Sequence, residues 1–240
     1  MRGVARATLW LALMGSAWLA LGSDPISGSD PKAYETIHAQ YRLFYRGVPV
    51  GNVNETWVRQ GDEYRVESDA QPYPILAFVV PTFREVSEGR VVGQVLQPRH
   101  FEHSRSDQAT PLMADFNWEA GELTNHFAGR TETVRLNAGT QDALSIMFLF
   151  RIAGDAALNT DIALTTGKRL ETHHLVLVAK EELDTTAGHF STRHMADKNQ
   201  QAESHFDIWL SDNPQDPPIR MQVLERGNRW EQQLQKVSFE

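Results

Sequence analysis

The sequence predicts a mainly β fold: a large curved antiparallel sheet, closing as a half-barrel or barrel, with one apolar helix packed in its concave side. Three observations predict it. Apolar and polar residues alternate with a period of two through much of the chain. Short alternating segments recur between turns marked by Gly, Asn, Asp and Pro. One stretch, TQDALSIMFLFRIAG at 140–154, breaks the pattern by being apolar nearly all the way round.

The alternation is clearest near residue 37, where Ile37, Ala39, Tyr41, Leu43 and Tyr45 interleave with His38, Gln40, Arg42 and Phe44. Arg46-Gly47 and Gln60-Gly61-Asp62 are turn signals, so strands at about 36–46, 49–59 and 63–71 form a meander. Similar segments follow at 91–107, 113–129 and 131–137, and again at 170–183, 188–197, 204–212, 219–226 and 229–240. So many strands must curl on themselves, because flat open sheets of this size are rare. No fixed-period repeat points to a propeller or solenoid. With 41% hydrophobic and 22% charged residues, the 240-residue chain can bury a sizeable core, and one domain over 34–240 is expected.

The helix is expected over 141–153. Thr140 or Asp142 can accept its first N–H groups, and Gly154 is placed to end it. Only Ser145 and Arg151 interrupt its apolar surface. A helix lying on a flat sheet needs a single apolar stripe, whereas this one should be covered on more than one side. Burying its seven large apolar side chains is worth on the order of 10–20 kcal/mol as an upper bound. Arg151 is expected to snorkel out along the last turn. If it is buried, a strand residue must pair with it, because Asp142 lies about 13 Å away along the axis.

A second apolar run, PYPILAFVVPTF at 72–83, is bracketed by prolines that discourage a central strand. It reads first as a buried crossing or edge strand, and alternatively as a mobile apolar lip that touches a lipidic ligand or partner.

Residues 1–22 carry Arg2 and Arg6, an apolar run from Ala7 to Leu21, and small residues suited to signal peptidase. The run of about 15 residues is shorter than a bilayer span, which favours a cleaved secretory signal over a membrane anchor. A flexible lead at 23–33, rich in Ser, Asp, Pro and Gly, follows it. The chain has no cysteine, so neither disulfides nor thiolate metal sites hold the fold, as suits a bacterial periplasm. The net charge of −8 repels nucleic acid, and no nucleic acid partner is expected.

No catalytic constellation stands out. His173 and His174 are neighbours on an expected strand and point to opposite faces, as do His100 and His103. No metal and no cofactor is expected. Ser145 lies inside the helix with no G-x-S-x-G around it, and reads as locally bonded. TTGKR at 165–169 lacks the leading Gly and the final Ser or Thr of a phosphate loop, and reads as a turn.

Several segments in series resemble a family. YRLFYRGVPVG at 41–51, VLQPRHFEHSR at 95–105, ADFNW at 114–118, TQDALSIMFLFR at 140–151, TTAGHFSTRH at 185–194 and IWLSDNPQDPPIRMQV at 208–223 are similar to the signature segments of domain-of-unknown-function family 3108. The resemblance covers about residues 34–240. It implies an exported bacterial protein of predominantly antiparallel β structure and implies no reaction. A curved sheet with a helical plug is also similar to the half-barrels of periplasmic lipoprotein carriers, a likeness of fold alone.

The leading expectation is therefore a non-enzymatic periplasmic protein with a hydrophobic groove between sheet and helix. Leu144, Phe148 and Ile152 would line it, with Arg151 at the helix end and Trp57, Phe116, Trp118 and Trp209 as partners from the sheet. A hydrophobic, lipid-like ligand is the expected occupant, with peripheral membrane contact. An envelope scaffold that binds another protein through a sheet edge or the 72–83 lip is the alternative, and a hydrolase is the third reading.

Overall fold

The alternation read from residue 37 onward becomes a run of antiparallel strands. The structure, a computed structural model, describes residues 34–158, 160–198 and 204–240. The signal expected over 1–22 and the lead over 23–33 lie outside the described residues.

The first half contributes β1 (Tyr34–Tyr45), β2 (Val48–Gln60), β3 (Glu63–Pro72), β4 (Phe83–Val92), β5 (Val95–Arg105), β6 (Leu112–Asn117), β7 (Glu122–Phe127) and β8 (Arg130–Arg135). A short β9 (Gln141–Asp142) leads to the helix α1 (Ile146–Ala153). The second half contributes β10 (Asp161–Thr165), β11 (Leu170–Thr185), β12 (Gly188–Asp197), β13 (Ser204–Ser211), β14 (Arg220–Glu225) and β15 (Asn228–Phe239). All join one sheet in the order β8-β7-β6-β5-β4-β3-β2-β1-β15-β14-β13-β12-β11-β10-β9. The two halves are thus consecutive meanders, joined where the first strand pairs with the last, from Ile37 opposite Phe239 to Tyr45 opposite Trp230.

The sheet curls rather than lying flat. Register shifts at Leu43/Phe44 and Glu88/Gly89 mark bulges, which bend strands and increase their twist. A glycine sits at each: a Cβ on Gly51 would meet Gln71 O at 2.2 Å, and one on Gly89 would meet Gln97 O at 2.3 Å. Only glycine allows strands to approach so closely there. The curl brings the β9–β10 end back against β5, β6 and β7. Gln141 Nε2 donates to Leu96 O (3.0 Å), Thr165 Oγ1 donates to Asn125 Oδ1 (2.7 Å), and Gly167 packs on the backbone of Leu112 and Met113. Side-chain bonds and close contact join these strands, in place of a continuous ladder.

α1 is the plug that the sequence predicts. Ile146, Met147, Phe148, Leu149 and Phe150 are all buried. Five consecutive residues at 100° each sweep more than a full turn, so the helix is covered on every side there. Its core neighbours come from both halves of the sheet, including Trp57, Tyr64, Phe101 and Leu123 from one and Leu175, Met195, Phe206 and Ile208 from the other. Phe148 stacks on Trp57 at 4.7 Å between ring centroids, and Trp57 stacks on Tyr64 at 5.1 Å.

The helix is shorter than expected. Gln141 and Asp142 are extended and pair in parallel with Leu164 and Thr165, so the regular helix runs only from Ile146. Asp142 still serves the N-terminus, because its Oδ1 accepts the N–H groups of Leu144 (2.9 Å) and Ser145 (2.7 Å). The Ser145 hydroxyl bonds the backbone of Asp142, the local role expected of it. Gly154 ends the helix at φ +56°.

Residues 72–83 form neither a buried crossing nor an edge strand. Pro74–Leu76 make one 3-10 turn, and Ile75, Phe78 and Val79 are 78%, 82% and 64% exposed. Pro72, Pro74 and Pro81 supply no N–H to a ladder, so the chain leaves the sheet between β3 and β4 and presents Ile75, Phe78 and Val79 outward, while Leu76 packs on the core.

Phe148→Ala is expected to cost about 3–5 kcal/mol in urea unfolding, because it empties the centre of the wrapped helix. Phe78→Ala, on the exposed lip, should change stability by less than about 0.5 kcal/mol.

Candidate functional site

α1 fills only one end of the curled sheet. Its last turn lies at the end where β1 begins and β13 finishes: the Arg151 guanidinium pairs with Glu35 and donates to the carbonyls of Pro214 and Gln215. At the other end, where β1 and β14 finish and β4 begins, the interior holds a half-open cavity of about 350 Å³. Ala143, Leu144, Ile146 and Met147 form its floor, and strands of both halves form its wall.

Cross-strand register builds that wall in layers. Next to the floor lie Trp57, Val66, Ser87 and Phe101 on β2 to β5. One layer up, the same strands place Glu55, Ser68, Glu85 and His103 side by side. The layer nearest the mouth is Val53, Ala70, Phe83 and Arg105. A polar row therefore crosses an otherwise apolar wall.

Glu55 is the unusual member. It is 3% exposed, and its Oε2 has no hydrogen-bond partner among the described residues. Burial, reinforced by the charge of Glu85, pushes its pKa up to about 8. Glu85 accepts from His103 Nδ1 at 2.8 Å. Burial opposes the charging of His103, but the bond to Glu85 and its charge outweigh burial and raise the pKa. Arg105 is held by both oxygens of Asp107 at 2.9 Å and lies over the Phe83 ring.

Beneath the row, Asp142 ties floor to wall. Its Oδ2 accepts from the Ser87 hydroxyl at 2.7 Å while Oδ1 holds the helix N–H groups. Burial raises its pKa to about 6, against the lowering effect of those hydrogen bonds.

The lip forms the rim. Val79, Val80 and Pro81 border a depression together with Arg105, Glu225 and Trp230, three residues that also line the cavity.

Of the residues the sequence singled out, Leu144 lies on the cavity floor. Trp57 and Phe148 sit one layer beneath, packed on each other, and Ile152 is half-buried towards the filled end. Arg151 does not snorkel: its side chain is 6% exposed and paired with a strand residue, Glu35, because the loop after β13 covers the helix end. Phe116 and Trp118 stack at 6.2 Å away from the cavity, with the Trp118 indole donating to Pro98 O. Trp209 faces away from the interior. It is out of phase with Phe206, Ile208 and Leu210, stacks on His194 at 4.0 Å, lies under the Arg220 guanidinium and donates to Glu181. The groove expected along the helix flank is thus filled by packing, and the open space lies above the start of α1.

The polar row escaped the sequence reading, although its signal is present. In GNVNETWV, Glu55 falls in phase with Val53 and Trp57, a carboxylate in the apolar register; Glu85 follows Phe83, and His103 follows Phe101, at the same spacing.

His173 and His174 behave as strand periodicity requires. His173 is buried against Asp197 (2.6 Å), whereas His174 bonds Asp161 on the other face (2.7 Å). TTGKR closes the β10–β11 turn, with Gly167 at φ +78°. Among the described residues, no group of three or more His, Asp or Glu is placed to hold a metal ion. No described helix is long and apolar enough to cross a membrane.

Residues 40–226 match the family described as Protein of unknown function (DUF3108). The chain belongs to this family. Among curated proteins nothing matches. The DUF3108 chain is similar to a crystal structure of a β-barrel-like protein of domain of unknown function DUF1849 from Brucella abortus, at 10% identity and a TM-score of 0.49, covering 87% of this chain and 99% of that one.

The buried carboxyl makes stability depend on pH. Glu55 is protonated in folded and unfolded chains below about pH 4.5; between there and pH 8 the unfolded chain ionises freely while the folded one resists, so its contribution is lost as pH rises. Glu55→Gln should match the parent protein at pH 4 and exceed it at pH 9 by up to about 5 kcal/mol in urea unfolding.

Proposed function

We propose that this DUF3108 protein is a non-enzymatic binding or carrier protein of the bacterial periplasm that holds a hydrophobic, lipid-like ligand above the plug helix. The observation that carries the reading is the cavity. Its volume, about 350 Å³, falls within the range of roughly 300–1,000 Å³ usual for small-molecule sites. Leu144, Ile146 and Met147 give it an apolar floor, and Phe83 and Trp230 line its wall.

The exposed lip supports the same reading. Val79 and Val80 border the depression beside the mouth, and Ile75 and Phe78 of the same segment are exposed, an apolar surface for a ligand that leaves a membrane or another carrier. The same exposure favours a second reading, in which the lip docks an envelope protein. Export to the periplasm is supported by the signal pattern of residues 1–22 and the lack of cysteine.

Binding is favoured over hydrolysis by the order of the polar row. A nucleophilic serine needs histidine as its neighbour and the carboxylate beyond it. Here Ser68 and His103 are separated by the strand that carries Glu85, and are about 10 Å apart at two strand spacings.

The test is uptake of N-phenyl-1-naphthylamine by delipidated protein, read as fluorescence enhancement. Saturable binding is expected, with Ala70→Phe reducing affinity at least about tenfold by filling the cavity while leaving the thermal midpoint within a few degrees. Protein that takes up no fluorophore and carries no co-purifying lipid by mass spectrometry would overturn the proposal.

A further inference from the structure

We propose that the cavity selects amphipaths with a primary ammonium head, which Glu55, Ser68 and Glu85 receive from three adjacent strands; this rests on the ligand-binding reading above. An ammonium group carries three N–H donors and no acceptor. The row offers acceptor oxygens from β2, β3 and β4, aligned by register at one depth of the wall.

Charge and satisfaction both point to a cation. Glu55 lines the cavity, and its buried Oε2 lacks a partner among the described residues. A buried carboxyl in that position either keeps its proton or meets a positive group. The nearby cationic side chains are already engaged: His103 bonds Glu85, and Arg105 is held by Asp107. Glu225 adds a further carboxyl to the lining. An ammonium would neutralise a group that burial otherwise keeps protonated.

The layering sets the orientation. The polar row lies deeper than Ala70, Phe83 and Arg105, and Val79 and Val80 border the mouth. The head therefore enters first and the apolar chain trails across Phe83 and Trp230 towards the lip. A ligand with its polar group at the far end of the tail, or with an anionic head, would leave Glu55 unpartnered or opposed.

The experiment is displacement of bound N-phenyl-1-naphthylamine by dodecylamine, dodecanol, dodecanoate and dodecyltrimethylammonium, each below its aggregation concentration. Dodecylamine should compete about tenfold or more better than dodecanol, dodecanoate should be the weakest, and the quaternary ammonium should fall below the primary one because it has no N–H to donate. Glu55→Gln should abolish the amine preference, bringing dodecylamine to the level of dodecanol in the same variant, while Ser68→Ala should reduce the preference by about threefold. Equal competition by amine and alcohol, or an amine preference that survives in Glu55→Gln, would overturn the ammonium assignment while leaving the hydrophobic cavity standing. Failure of the fluorophore and of all four amphipaths to bind would overturn both.

Discussion

A sheet that curls back on itself encloses more space than its own inward side chains can fill, and voids of that size forfeit packing contacts throughout their lining. α1 is the answer this fold uses. Five successive buried residues give the helix no solvent side, so its burial and the curl of the sheet require each other. At roughly 1.5–3 kcal/mol for each large apolar side chain, removing the helix from its place would cost about as much as the whole net stability of an ordinary domain. Trp57, stacked between Phe148 and Tyr64, is where helix and sheet meet most closely.

Two polar links fix where the plug sits. Asp142 accepts two N–H groups from the turn into the helix and the hydroxyl of Ser87 from β4, a buried carboxylate satisfied from both sides. At the other end, Arg151 pairs with Glu35 and the carbonyls after β13. Neither group could be buried alone, so each restricts the helix to the depth at which its partner is available. The helix is only eight residues long, which at 1.5 Å per residue spans about 12 Å. The cavity lies beyond its first turn, floored by Ala143, Leu144, Ile146 and Met147.

Glu55 shows how a site can share the rules of the core and break one of them. It occupies the inward phase of β2, where Val53 and Trp57 pack, yet it brings a carboxyl whose Oε2 has no partner among the described residues. Evolution commonly confines such departures to places where something outside the chain completes the arrangement. The acidic row and the apolar lip lie at successive depths of one opening.

By itself the sequence determined most of the strands and turns, though not β4 or β10, and the wrapped character of the plug helix, because period-two and all-round apolar patterns are local consequences of burial. It also carried the family resemblance and the opposite facing of His173 and His174. Only the tertiary structure decided which groups meet. The pairing of β1 with β15, the partner of Arg151, the outward face of Trp209 and the alignment of Glu55, Ser68, Glu85 and His103 all depend on how separate segments are brought together in the fold. A one-residue slip would turn any strand's inward set outward, so alternation shows that a residue belongs to a face, whereas packing alone shows which face encloses the cavity.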